Sequence, residues 1–174
     1  MRIEKKNLTI RNAEAEDAEQ LAAWWNDGRV MAHAGFPRGL GTTAEQVAAQ
    51  LQRDGDDTGR VLILEKNGVP IGEMSYRVLE DQAAEIGVKI CKEEEQNRGV
   101  GRVALSMLIR ALFDRGCPRI VLDTNLNNKR AQHVYESLGF VETCVHYDSW
   151  QDQLGQWQSA VDYALTEENF KAFA

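Results

Sequence analysis

A chain of 174 residues buries about two thirds of the surface it exposes when unfolded, so a single well-cored domain over residues 1–174 is expected and two would be cramped. With 43% hydrophobic and 27% charged residues, the composition excludes a disordered chain, and no apolar run approaches the roughly 18 residues that span a bilayer. The formal charge of -7 disfavours nonspecific nucleic-acid binding and suits a cationic small partner. The opening Met1-Arg-Ile-Glu-Lys-Lys6 lacks the apolar core of a signal peptide, which makes the cytoplasm the expected location. Cys91, Cys117 and Cys144 are widely spaced and odd in number, as reduced thiols are, and no CxxC or His/Cys cluster suggests a metal.

In chain order, a first strand is predicted near Leu8 to Arg11, followed by a helix in which Ala18, Leu21, Ala22 and Trp25 recur at helical spacing and which ends near Asn26. Residues 28–42 carry Gly35, Pro37, Gly39 and Gly41 and read as an irregular loop. Thr43 with Gln46 forms a capping-box start for a helix through Leu51. Val61 to Leu64 and Val69 to about Leu79 flank Asn67-Gly68, a type I′ hairpin signal, and Ala84 to Cys91 continues the meander. Val100, Val103, Ala104, Met107, Leu108, Ala111 and Leu112 then form an amphipathic stripe, closed by Gly116 and Pro118 before a strand from Ile120 to Leu122. A right-handed β-α-β crossover follows naturally. Ala131, Val134, Tyr135 and Leu138 mark a short helix closed by Gly139, and strands follow near Val141 to Tyr147 and Ser159 to Leu165. The order is α+β with a mixed sheet.

Gln96-Asn97-Arg98-Gly99-Val100-Gly101 lies between a strand and the longest helix. A helix start leaves N–H groups unpaired and partly positive, so it receives anions, and glycines keep side chains away from a phosphate while Arg98 and Arg102 add charge. Gly99-Val-Gly101-Arg-Val-Ala104 also satisfies a dinucleotide GxGxxG/A pattern, with Asp123 about 20 residues on. Against that stand the polar Lys92 to Arg98 between strand and turn, and the roughly 50 residues after Asp123, too few for further βαβ units. A Walker loop is excluded because no Gly-Lys-Ser/Thr follows.

The same six residues resemble the Q/R-x-x-G-x-G/A signature of the GNAT N-acetyltransferase superfamily. Ala84 to Ile90 looks like the strand before that signature, and Asn128-Lys-Arg-Ala131 through Tyr135-Glu-Ser-Leu-Gly-Phe140 looks like its "N-x-x-A…Y-E-x-x-G-F" segment. Trp25-Asn26-Asp27 is similar to the first-helix end of branches acting on protein N-termini, aminoglycosides or polyamines. The resemblance implies a mostly antiparallel central sheet of six to seven strands flanked by about four helices. It implies acetyl-CoA as cosubstrate, no metal, direct transfer to a small-molecule or peptide amine, and compatibility with a homodimer.

By the same resemblance, Gln96, Asn97, Arg98, Gly99, Val100, Gly101 and Arg102 hold the coenzyme diphosphate, and the backbone of Val88, Lys89 and Ile90 receives the pantetheine arm in a splay between two central strands. The Val88 N–H would polarise the thioester carbonyl. Tyr135 would protonate the departing thiolate. Asn128 would bond the pantetheine, although Asn before a helix is equally a plain N-cap. Strand alternation places Glu85 opposite Ile86, Val88 and Ile90, and makes it the candidate base, directly or through water, with Glu73 or Asp123 as substitutes. Trp24, Trp25, His33, Phe36 and Trp150 are the acceptor-pocket candidates, from loops on a rigid scaffold. No basic partner for Cys91 or Cys144 is evident in the sequence, so both read as structural thiols.

Overall fold

The computed structural model describes residues 1–173. Eight strands form one sheet in the order β1-β2-β3-β4-β5-β6-β8-β7, where β1 is Arg2–Lys5, β2 Leu8–Asn12, β3 Gly59–Lys66, β4 Val69–Val78, β5 Ala84–Ile90, β6 Ile120–Asn125, β7 Val141–Gln151 and β8 Trp157–Leu165. Every neighbouring pair is antiparallel except β5 and β6. Five α-helices accompany them: α1 Ala18–Trp25, α2 Gly28–Met31, α3 Ala44–Gln52, α4 Val100–Asp114 and α5 Lys129–Ser137.

The local signals act as expected. Thr43 and Gln46 form the reciprocal capping box of α3, and Asn67 and Gly68 take the left-handed conformations, at φ 53° and 77°, that turn β3 into β4. Two expectations are corrected. The sheet has eight strands, not six to seven, because Arg2–Lys5 pairs with Leu8–Asn12 at the sheet edge; only Ile3 is apolar there, so no alternation announces it. The segment 28–42 is not wholly irregular, and five helices replace about four. Asp27 caps α2 by accepting from the Arg29 N–H, and a 3₁₀ turn continues over Ala32–Ala34.

α4 packs Ala104, Leu105, Leu108, Ile109 and Leu112 into the main core with Met74, Tyr76, Ile86, Ile120 and Tyr163 of the sheet, and Leu138 just after α5 joins the same cluster. On the opposite face α1 and α3 bury Leu21, Trp24, Trp25, Val47 and Leu51 against Val61 and Ile63 of β3. These helices cover the sheet's first half only. The same face of β5, β6, β8 and β7 is left for polar side chains.

At Gly72 of β4 the backbone of β5 leaves no room for a side chain. A Cβ on Gly72 would fall 2.2 Å from the Lys89 carbonyl oxygen. Gly72→Ala should therefore destabilise the protein by about 1–3 kcal/mol, as overpacking does. Urea denaturation checks this; an unchanged midpoint would mean that the two strands separate without cost.

Candidate active site

Strands β5 and β6 run together for only two residue pairs, Ala84 with Ile120 and Glu85 with Val121, whereas β4 accompanies β5 from Ala84 to Ile90. Beyond Glu85 the centre of the sheet splits. The Ala84 N–H donates to the Arg119 carbonyl at 3.1 Å, on the β6 side. The period of two in a strand turns the amides of Val88 and Ile90 toward that same edge, past the last pair. Lys89 turns its backbone groups to β4 and its ammonium to Glu73, 2.9 Å away, so it does not serve the open edge as the sequence suggested.

Where β5 ends, Gln96 Nε2 donates to the Ile90 carbonyl at 2.9 Å and ties the following turn to the strand. Asn97 and Gly99 are left-handed, at φ 63° and 78°, and Gly99 starts α4 with no side-chain cap. Such a turn aims successive N–H groups into one concavity. Among the described residues the amides of Asn97 through Arg102 have no acceptor, and the first return bond is from the Val103 N–H to the Gly99 carbonyl, 3.2 Å. The space above them is free: a Cβ on Gly99 would meet nothing within 4 Å, and one on Gly101 only Ile90 Cγ1 at 3.9 Å. A diphosphate fits the donor set. The Arg102 guanidinium lies over the Phe173 ring, 4.2 Å from its centroid, while Arg98 is exposed. Arg130 of α5 donates to Asn97 Oδ1, which brings a third cation to this rim that the sequence reading did not single out. Its only signal was its place beside Asn128.

Tyr135 of α5 is half-buried, edge-on to Phe140 and Tyr163 at centroid distances of 5.9 and 5.8 Å. Burial first, then the charges of Asp123 and Tyr163, push its phenol up to about 12, so at neutral pH it holds its proton. Its hydroxyl has no partner among the described residues, yet no buried polar side-chain atom there lacks one, so this oxygen is accessible. Asn128 is an N-cap in fact: its Oδ1 accepts from the Ala131 N–H at 3.2 Å, leaving its amide nitrogen to spare.

On the uncovered face, Glu85 and Asp123 line both of two adjoining cavities, of about 510 and 250 Å³. Glu85 Oε1 accepts from Arg77 at 2.9 Å. Glu73 is buried against Lys89. Asp123, by contrast, is exposed and has no ion-pair partner among the described residues; partial desolvation at the cavity wall, then the charges of Glu85 and Asp162, hold its carboxyl above the ordinary aspartate range. Of the three carboxylates weighed from sequence, Asp123 is the one without an ion-pair partner among the described residues.

The profile of the acetyltransferase (GNAT) domain matches residues 7–141. The chain belongs to the GNAT acetyltransferase family. A mycothiol acetyltransferase of Thermomonospora curvata is 32% identical over 139 residues, covering 79% of this chain and 46% of that protein. The chain spans about half the length of the curated relatives it matches, or less. YncA of Salmonella typhimurium, a putative acetyltransferase solved with acetyl-CoA, shares the fold with a TM-score of 0.75 at 23% identity, covering 92% of this chain and 94% of that one. The spermidine N-acetyltransferase of Vibrio cholerae, solved with CoA and spermine, gives a TM-score of 0.82 at 20% identity over 95% of this chain and 98% of that one.

In this GNAT chain the acceptor-pocket aromatics do not gather as the sequence suggested. Trp25 is a core residue, 8% exposed, because the helical stripe that buries Leu21 carries it inward. Phe36 packs against the same cluster, and His33 is exposed on the 3₁₀ turn. Trp150 seats its ring on Gly35, where a Cβ would come within 2.4 Å of Cζ3. Gln153 fastens this loop to the β7–β8 hairpin: its N–H donates to the Gly35 carbonyl, its Nε2 to Gly39, and its Oε1 accepts from Arg38. Trp24 is core in the same cluster as Trp25, and none of the five candidates lines either cavity. Among the described residues no group of His, Cys, Asp and Glu is arranged to hold a metal, and no helix is long and apolar enough to cross a membrane.

Proposed function

We propose that the protein transfers an acetyl group from acetyl-CoA directly to a primary amine on a protein N-terminus, an aminoglycoside, a polyamine or another small molecule. The observation that carries this reading is the split beside β5. Unpaired donors of residues 97–102 suit the diphosphate, the open amides of Val88 and Ile90 suit the pantetheine, and the split leads to Tyr135 and Asp123. Arg98 and Arg130 supply charge near the diphosphate, and the spare amide of Asn128 reaches the pantetheine.

The amine nitrogen attacks the thioester carbonyl as a neutral base, and the Val88 N–H stabilises the oxyanion. Asp123 accepts the proton that the nitrogen gives up. Glu85 takes the supporting role of a neighbouring negative charge that keeps Asp123 basic, in place of the base role expected from sequence. When the carbon–sulfur bond breaks, Tyr135 protonates the thiolate. Once coenzyme and acceptor fill the split, desolvation raises the thiolate's own proton affinity toward that of the phenol. Glu85, Asp123 and Asp162 favour a cationic acceptor. The accessible, protonated Tyr135 hydroxyl disfavours a noncatalytic acyl-CoA sensor on the same fold, which has no use for an acid.

A panel of amines assayed for acetyl-CoA-dependent thiol release tests the reading; acetyl-CoA binding without release for any amine class would replace it by the sensor. The base has its own signature. With Asp123 raised, its ionised form is lost on acidification at a higher pH than for an ordinary aspartate, so kcat/KM should fall as pH drops through that raised value. Asp123→Asn should lower kcat/KM about 100-fold or more and erase this limb. Glu85→Gln should move it to lower pH, because one nearby negative charge is gone, while His146 and Asp162 remain. An acid limb unchanged in Asp123→Asn would remove Asp123 from the mechanism.

A further inference from the structure

A second group of reactive side chains occupies the uncovered face beyond Asp123. Antiparallel pairing sets Asp123 opposite Asp162, and Asp162 opposite Cys144, so the three lie in a row across β6, β8 and β7. His146 is two residues from Cys144 on the same face. Its Nε2 is 2.7 Å from Asp162 Oδ2, and its Nδ1 is 4.0 Å from Cys144 Sγ. With Asp162 accepting from Nε2, the Nδ1 lone pair is turned to the thiol. That separation closes to a hydrogen bond with a small side-chain rotation. Strands about 4.8 Å apart put Cys144 roughly 10 Å from Asp123, too far to meet the thioester but beside the smaller cavity, lined by Thr143, Asp162, Asp123 and Glu85.

The other cysteines differ. Cys91 is turned toward the α1–α3 cluster, and burial and the charge of Glu73 push its thiol up to about 12. Cys117 points at the carbonyls of Arg119, 3.1 Å, and Gln82, 3.7 Å, with no imidazole. Cys144 is exposed and has one.

We propose that Cys144, with His146 and Asp162, is a thiolation site at which a low-molecular-weight disulfide attaches and closes the acceptor side of the cleft. The Cys144 proton passes to His146 Nδ1 and the thiolate attacks one sulfur of the disulfide. A new S–S bond forms as the old one breaks, and the released thiolate takes the proton from the imidazolium. Cys144 is oxidised and the departing half is reduced to its thiol. The adduct projects along the row toward Asp123, whereas the diphosphate turn lies at the far end of β5. The blocking effect rests on the reading of this face as the acceptor side; the reactivity does not.

The test treats the protein at neutral pH with 2-hydroxyethyl disulfide and follows adducts by peptide mass spectrometry. Cys144 should react at least about tenfold faster than Cys117, and His146→Gln and Asp162→Asn should each abolish that preference. The adduct should suppress amine acetylation, dithiothreitol should restore it, the thermal shift given by acetyl-CoA should persist, and Cys144→Ser should be insensitive to the disulfide. Equal labelling of Cys144 and Cys117, a preference that survives His146→Gln in a variant with a wild-type melting curve, or undiminished acetylation by the adduct would overturn the proposal. If no amine is acetylated, the functional reading fails, and labelling with its two variants still decides the reactivity.

Discussion

Gly101→Asp should weaken acetyl-CoA binding at least about 100-fold, close to 2.8 kcal/mol, without lowering the stability of the free protein. The two halves of this expectation come from the same geometry. Gly101 is the second residue of α4, and a Cβ there would touch only Ile90 Cγ1 at an ordinary distance, so a side chain is sterically admissible. A carboxylate in the first turn is favourable to the helix itself, by about 0.3–1 kcal/mol. It also satisfies electrostatically the donors that the diphosphate would otherwise receive, and repels the diphosphate. Calorimetric titration and melting curves with and without acetyl-CoA separate the two. A wild-type ligand-induced shift in Gly101→Asp would show that the coenzyme seats elsewhere, and the functional reading would fall with it.

Tyr135→Phe should lower kcat about 100-fold while leaving the acetyl-CoA dissociation constant within about threefold. Phenylalanine keeps the edge-on packing against Phe140 and Tyr163, and the lost hydroxyl has no partner among the described residues to leave unsatisfied. What disappears is the acid. Single-turnover kinetics should locate the loss in thiol release, and an acceptor series of falling amine basicity should leave the defect constant. Equal losses in turnover and affinity would make Tyr135 a packing residue.

Much of the site was legible because its parts are written locally. The glycine turn needed only the order of residues 96–102: Asn97 and Gly99 are the residue types that accept a left-handed conformation, and the helix start follows within a few bonds. Asn128 as a cap and Tyr135 on the short helix are of the same kind. The base proposed above was not legible, because Glu85 and Asp123 differ in what faces them. Arg77 is opposite Glu85 on β4 and pairs with it, whereas Asp123 has no ion-pair partner among the described residues. His146 as a partner for Cys144 was equally invisible, since its orientation depends on Asp162 of another strand. Trp25 misled in the other direction: its place at a helix end suggested a pocket, and packing on β3 made it core.

From residue order alone came α4 and its glycine stop, the Asn67-Gly68 hairpin, the capping box at Thr43 and the anion-ready turn, all products of short-range sterics and hydrogen bonds within a few residues. Tertiary structure decided that β1 joins the sheet, that β5 and β6 part after two pairs, and that Glu85, Asp123, Asp162 and Cys144 share one open face. Each of those depends on lateral pairing between segments distant along the chain or on which half of a sheet the helices cover, and no local pattern carries that information.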